Sequence, residues 1–177
     1  NREICCMKVN VMKTATNEIQ TISETTAECC PEFDPVLWNN VEHKWKDRLF
    51  LKDSVPEVFH IPLPGTYGKA ITRMWEKAEE AGAAPDRKDF LLLAYDPSPF
   101  KSELFMSITK EILGAENVRL SGTFISKVFD GPYNKVPSYI KEMNGYLAST
   151  RKVAKKYYFY FAYCPKCAKK YGHNYIV

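Results

Sequence analysis

Two hydrophobic periods alternate along this chain. The stretch "RLFLKDSVPEVFHIPLP" (48–64) reads as a strand interrupted at Pro56. It is followed by "KAITRMWEKAEEAG", which sets Ala70, Ile71, Met74, Trp75 and Ala78 at helical spacing and stops at Gly82. "DFLLLAYDPSP" (89–99) predicts a strand closed by a proline-rich turn. "ELFMSITKEI" (103–112) alternates, with Leu104, Met106 and Ile108 on one face. The order then recurs. "NVRLSGTFISKVF" (117–129) predicts a strand with a bulge or bend at Gly122, and "VPSYIKEMNGYLAS" (136–149) predicts a helix. That helix carries Pro137 in its first turn, where the missing N–H costs nothing, and buries Val136, Ile140, Met143 and Leu147. "KYYFYFAYCP" (156–165) predicts a strand and "HNYIV" (173–177) the start of another. Strand–helix–strand–strand thus occurs twice, which predicts an α+β domain of duplicated βαββ units. The first unit covers about 48–112 and the second about 117–177. Together they form an antiparallel sheet flanked by two helices.

In each unit a strand must turn abruptly into a helix that lies back across its own sheet. Gly65 and Gly131 permit that path by positive φ or by close approach, and Pro132 stiffens the second turn. Tyr67 and Tyr133 follow two residues after these glycines. Each ring is expected to project from its corner into a shared groove, with the ring buried and the hydroxyl hydrogen-bonded or wet.

Residues 1–28 are Thr/Glu/Asn-rich with little apolar periodicity and predict a loose arm ahead of a domain at 29–177. The chain begins at asparagine, with Met7 and Met12 following, and shows no charged-then-apolar leader. "CCPEFDPVLWNN" (29–40) reads as an extended segment laid over the core through Phe33, Leu37 and Trp38, with Trp45 continuing it. At 45% hydrophobic and 14% aromatic, the chain has ample material for a core, so disorder is not expected. The +4 charge is mild and its basic residues are dispersed, which argues against nucleic-acid binding. No apolar run is long enough to span a bilayer. Of six cysteines, four form the vicinal pairs Cys5–Cys6 and Cys29–Cys30. A disulfide framework would space them more widely, so a reducing cytoplasm is expected.

With the repeat and the Gly131-Pro132-Tyr133 turn on the page, the region 48–177 resembles the gyrase-inhibitor-like (GyrI-like) small-molecule-binding superfamily. "CCPEFDPVLW", "SGTFISKVFDGPY" and "YCPKCAKKYGHNYIV" together resemble a narrower bacterial and archaeal group of that superfamily, labelled as hydrolases. The resemblance implies tandem βαββ units of the SHS2 type flanking a ligand cleft, in a cytoplasmic α+β domain. It also implies hydrolysis of electrophilic small molecules in some members. The chain departs from the drug-binding relatives near Phe161, where they carry a glutamate and "YYFYFAY" has no carboxylate. A cationic ligand is therefore not expected.

Three chemistries compete. The first is binding of an apolar or planar small molecule in an aromatic groove lined by Tyr67, Trp75, Phe105, Tyr133, Tyr160 and Phe161. Trp75, at helical spacing, equally suits the core. The aromatic strand places Tyr157, Phe159, Phe161 and Tyr163 on one face and Tyr158, Tyr160 and Ala162 on the other, so it is covered on both sides. The second is hydrolysis in that groove by Glu103 or Glu57 with a corner tyrosine such as Tyr133. A carboxylate against aromatic walls has a raised pKa and activates water. A solvated strand end is the plain alternative for both glutamates, and His43 and His60, being isolated, read as structural. No Gly-x-Ser-x-Gly, phosphate loop, His-Glu-x-x-His or dinucleotide fingerprint occurs, which disfavours a serine-triad enzyme. The third is thiol chemistry. Cys164 and Cys167 of "CPKC" offer half a tetrahedral zinc site, a redox pair, or simply a strand-end turn, and Cys30 is expected to approach them. No cofactor is required by the first two readings, and zinc is the metal of the third. The expected partner is a small molecule, on a monomer or homodimer, with neither nucleic acid nor membrane.

Overall fold

A computed structural model describes residues 30–177; the predicted arm at 1–28 lies outside the described residues. Strand β1 (Val41–Val58) is the longest element and the axis of the sheet. Its residues Phe50 and Leu51 pair with β4 (Lys101–Ser107) on one edge and with β5 (Asn117–Ser126) on the other, all antiparallel. β3 (Leu92–Ser98) follows β4, and β7 (Phe159–Tyr160) follows β3. β2 (Ile61–Pro62) folds back on the end of β1, giving the order β2-β1-β4-β3-β7 with β5 also on β1. The molecule is therefore α+β with a mostly antiparallel sheet.

Alternation along these strands builds two cores. Leu51, Val55, Ala94, Leu104 and Met106 point to one face and meet Ala70, Met74 and Ala78 of α1 (Thr66–Glu80), with Ile108 in the same cluster. Phe50, Leu93 and Phe105 point to the other, where Trp38, Trp45, Tyr158 and Tyr160 cover them. The register of β1 with β5 shifts between Trp45 and Arg48, where β1 carries an extra residue and Asp47 has φ 51. Gly122, at φ 140, sits opposite Trp45, so the irregularity lies on β1 beside the predicted site rather than within β5.

The second half is built differently. α2 (Val136–Ser149) has the predicted boundaries and buries Leu147, with Val136, Ile140 and Met143 half-buried. The strands beside it are only two residues long: β6 (Phe129–Asp130) pairs with β8 (Tyr175–Ile176). Tyr160 and Val177 exchange backbone hydrogen bonds at 2.9 Å each, joining the C-terminus to β7.

Four expectations are corrected. The aromatic strand is regular only at Phe159–Tyr160, because its register with β3 lasts two residues. Its two-faced pattern nevertheless holds, with Phe159 and Phe161 in the α1 core and Tyr158 and Tyr160 in the opposite one. "CPKC" is not a turn but opens a third helix, α3 (Pro165–Tyr171), with Pro165 at its first position. Trp45 lies within β1 rather than on a covering segment. Pro56 does not interrupt β1: it stands opposite Lys101, and the strand runs two residues further.

Candidate active site

The far end of β1 makes a two-residue hairpin to β2, with Val58 opposite Ile61. Its central residues Phe59 and His60 have φ of 50° and 64°. This left-handed pair normally takes Asn-Gly; bulky side chains here cost about 1–3 kcal/mol each and persist only where surroundings enforce them. The backbone N–H groups of Glu57 and His60 donate to the carbonyls of Phe100 and Pro99, which clamp the hairpin onto the β3–β4 turn. The clamp places His60 Nδ1 2.5 Å from Asp96 Oδ2. It also leaves Phe59 against Phe100 at 5.8 Å between ring centres.

Beneath this hairpin Glu57 is 6% exposed. The Tyr67 hydroxyl, arriving from the first turn of α1, lies 3.4 Å from Glu57 Oε1 and 2.6 Å from Ser102 Oγ. Ser102 Oγ in turn donates to the Tyr95 carbonyl at 3.3 Å. That leaves the Tyr67 proton for Ser102 or Glu57. Glu57 Oε2 is buried without any hydrogen-bond partner among the described residues. Burial pushes the Glu57 carboxyl upward, helped by the charge of Asp96 and only partly offset by Tyr67 and His60. Burial also raises the Tyr67 phenol to about 12, so it stays protonated and is a donor at neutral pH. Around the corner Val58, Phe59, Ile61, Leu63 and Phe100 are exposed, forming an apolar rim. The arrangement supplies a base of raised pKa, a neutral hydroxyl donor beside it and a His–Asp pair, next to exposed apolar side chains. The ligand atoms of Glu57, His60 and Asp96 also lie within 4.8 Å of one another, close enough to share a cation.

Glu103, the other carboxylate singled out by alternation, is in a different state. Lys52 and Lys101 stand 3.1 and 3.0 Å from its Oε1. Burial pushes its pKa up, but these two lysines outweigh that and hold it below the usual carboxylate value. It is a fixed anion rather than a base.

The aromatic residues predicted to share a groove are divided between faces. Tyr67, Trp75 and Phe161 pack with the α1 core, whereas Phe105 and Tyr160 belong to the opposite cluster. Trp75 stacks edge-on to Phe90 at 5.7 Å. Tyr133 is 45% exposed and meets Phe161 edge-on at 5.2 Å, with no carboxylate recorded beside it among the described residues. A cleft of about 210 Å³ does flank α1, lined by Leu51, Lys52, Asp53, Arg73 and Lys77; Lys52 pairs with Glu116 and Arg73 with Asp53 there, and Glu57 does not line it.

The cysteines do meet. The sulfurs of Cys30, Cys164 and Cys167 lie within 4.8 Å of one another. Cys167 is a free, buried thiol, and Cys164 is disulfide-bonded. Sequence reasoning set His60 aside as an isolated, structural histidine and did not name Asp96 or Ser102. The signal for His60 was its place in "EVFHIP", between two strand segments and three residues after Glu57. Asp96 and Ser102 carried none, because β3 and β4 reach Glu57 only through sheet pairing.

No helix among the described residues is long and apolar enough to cross a membrane. No curated protein and no solved structure matches the chain. A family model described as "Bacterial hydrolase" matches residues 20–177, nearly the whole sequence, and so the chain belongs to that bacterial hydrolase family.

Proposed function

We propose that the protein hydrolyses an apolar small molecule bearing an electrophilic carbon, an ester or an epoxide, at the Glu57–Tyr67 corner. The observation that carries this reading is the buried Glu57 carboxyl, one oxygen of which has no partner while the other faces Tyr67. In the ionised state Glu57 takes a proton from water as the water oxygen bonds to the electrophilic carbon. Tyr67, protonated at neutral pH, donates to the oxygen that gains charge as its bond to that carbon breaks or its carbonyl opens. The proton held by Glu57 then passes to the departing oxygen. His60 is held by Asp96 at the mouth, and the exposed rim of Phe59, Ile61 and Phe100 receives the apolar part of the substrate.

Membership of a hydrolase family supports this reading over binding alone. The GyrI-like resemblance with duplicated units belongs to the same proposal. Its support is the element order, in which β1–β2–α1–β3–β4 is followed by β5–β6–α2–β7–α3–β8, so that strands lead into a helix and then into two further strands in each half. Binding of a planar ligand through Tyr133 and Phe161 is supported by their edge-on contact beside an exposed phenol.

A panel of chromogenic esters and epoxides tests the proposal. Turnover is expected in the parent, and Glu57→Gln should lower it about 10²- to 10⁴-fold with the circular dichroism spectrum unchanged. Turnover that survives Glu57→Gln would sink the reading. A second version has a divalent cation held by Glu57, His60 and Asp96, favoured only by their clustering. Loss of turnover on chelation, restored by the metal, selects it; indifference to chelator selects the metal-free base.

A further inference from the structure

Away from the Glu57 corner, we infer that Cys30, Cys164 and Cys167 form a zinc site that pins the segment beginning at Cys30 to helix α3. The inference does not depend on the hydrolytic reading. Three sulfurs from two ends of the described chain converge within 4.8 Å. Tetrahedral zinc–thiolate sites, with Zn–S near 2.3 Å, place their sulfurs about 3.8 Å apart, so a small closure suffices. Cys-x-x-Cys supplies two ligands from one turn of backbone, and Cys30 supplies the third from a segment 134 residues away.

Backbone groups already draw the two segments together: the Cys164 N–H donates to Cys30 Sγ and the Cys167 N–H donates to Cys164 Sγ, both at 3.4 Å. The lysines of α3, Lys166, Lys169 and Lys170, add positive charge to the same short helix. Cys167 is 4% exposed while Cys30 and Cys164 are half-buried.

The site has a mechanical reason. Among the described residues, hydrogen bonds from Phe33 N–H to Tyr163 Oη at 2.9 Å and from Tyr171 Oη to the Cys30 carbonyl at 3.3 Å tie the covering segment to the C-terminal region. Ring contacts of Phe33 with Tyr160 and Tyr175 add to these. The strands around it are two residues long, so few ladder hydrogen bonds hold this region. A metal bridging Cys30 to Cys164 and Cys167 closes a long loop where the sheet does not. The disulfide at Cys164 and metal binding are alternative states of the same sulfur, so the site forms in the reduced protein.

The full chain, reduced and stripped of metal, is titrated with zinc and with cobalt as its spectroscopic substitute. One equivalent of zinc, a cobalt–thiolate charge-transfer band, protection of the thiols from alkylation, and a rise in Tm of about 5–10 °C at saturating metal are expected. Cys30→Ser and Cys164→Ser should each weaken zinc binding at least 10-fold, and oxidation should expel the metal. Absence of the cobalt band, or full-strength zinc binding by Cys30→Ser, overturns the inference. Cys167 is the buried member, so if Cys167→Ser fails to fold, alkylation protection in the parent still decides the question. Esterase or epoxide turnover in these variants is expected to follow Glu57 and not the metal, which keeps the two proposals separable.

Discussion

The two corners where a strand gives way to a helix look alike in sequence and differ in substance. At the first, Gly65 adopts φ 78 with nothing near the place of a Cβ, so glycine is needed there for its backbone freedom. At the second, Gly131 has no positive φ, but a Cβ would run into the hydroxyl of Tyr139, so glycine is needed for space. The tyrosines diverge in the same way. Tyr67 turns inward to Glu57 and Ser102, while Tyr133 rests on Phe161 with nearly half its surface in solvent. A Gly-x-Tyr corner therefore specifies a place for a phenol, and the neighbouring strands decide whether that phenol meets an acid. β1 and β4 bring Glu57 and Ser102 to the first; the elements at the second bring only rings and the charge of Cys30, which after burial raises the Tyr133 pKa.

The sharpest test of this contrast is functional. Tyr67→Phe is expected to lower kcat/KM about 10- to 100-fold, and Tyr133→Phe to leave it within about twofold, read as paired assays on the same substrate. Equal losses would erase the distinction between the corners.

The next effect is on pH dependence. In the proposed mechanism Glu57 acts ionised, and its pKa is raised above 4.5, so kcat/KM should climb with pH through a midpoint above that value. Asp96→Asn removes a charge that raises it, and the acidic limb should move to lower pH. The stability sign is opposite. A carboxyl whose pKa is raised in the fold stabilises below its unfolded pKa and loses that contribution as pH rises through the folded value. Glu57→Gln should therefore melt higher than the parent at neutral pH, and the two should converge in acid.

A smaller effect separates the glycines. Gly131→Ala is expected to cost about 1–3 kcal/mol through overlap with Tyr139, and Gly65→Ala about 1 kcal/mol through its left-handed backbone. Tyr139→Phe should rescue only the first. Among the described residues the buried Tyr139 hydroxyl has no hydrogen-bond partner, and its ring stacks on Phe129 at 4.7 Å, so its removal costs little alone and frees the space. Melting curves of the three singles and the double variant decide it.

The smallest change is expected from Glu103→Gln. Its carboxylate is bound by Lys52 and Lys101, and turnover should stay within about twofold of the parent while Glu57→Gln loses it. A large loss at Glu103 would move the base from β1 to β4.

Periodicity alone placed α2 at its observed boundaries and put Leu104 and Met106 on one face. These features are local, because side-chain spacing and glycine conformation act within one element. The helix at Cys164–Pro165 escaped the same logic, since a seven-residue helix is too short to show a period. Glu57 and Tyr67 were legible as a carboxylate and a corner tyrosine. Their 3.4 Å approach was not, because it depends on the hairpin at Phe59–His60 folding back onto the β3–β4 turn.

What the amino-acid order determined was the element types, the two-faced strands and the identity of the reactive groups, since each follows from short-range spacing. What only the tertiary structure decided was which of two similar glutamates is neutralised by lysines and which is buried beside a phenol. It also decided that cysteines 134 residues apart face one another. The physical reason is that charge state and ligation depend on desolvation and on neighbours brought in by other strands, and both are set by packing over distances that no local pattern records.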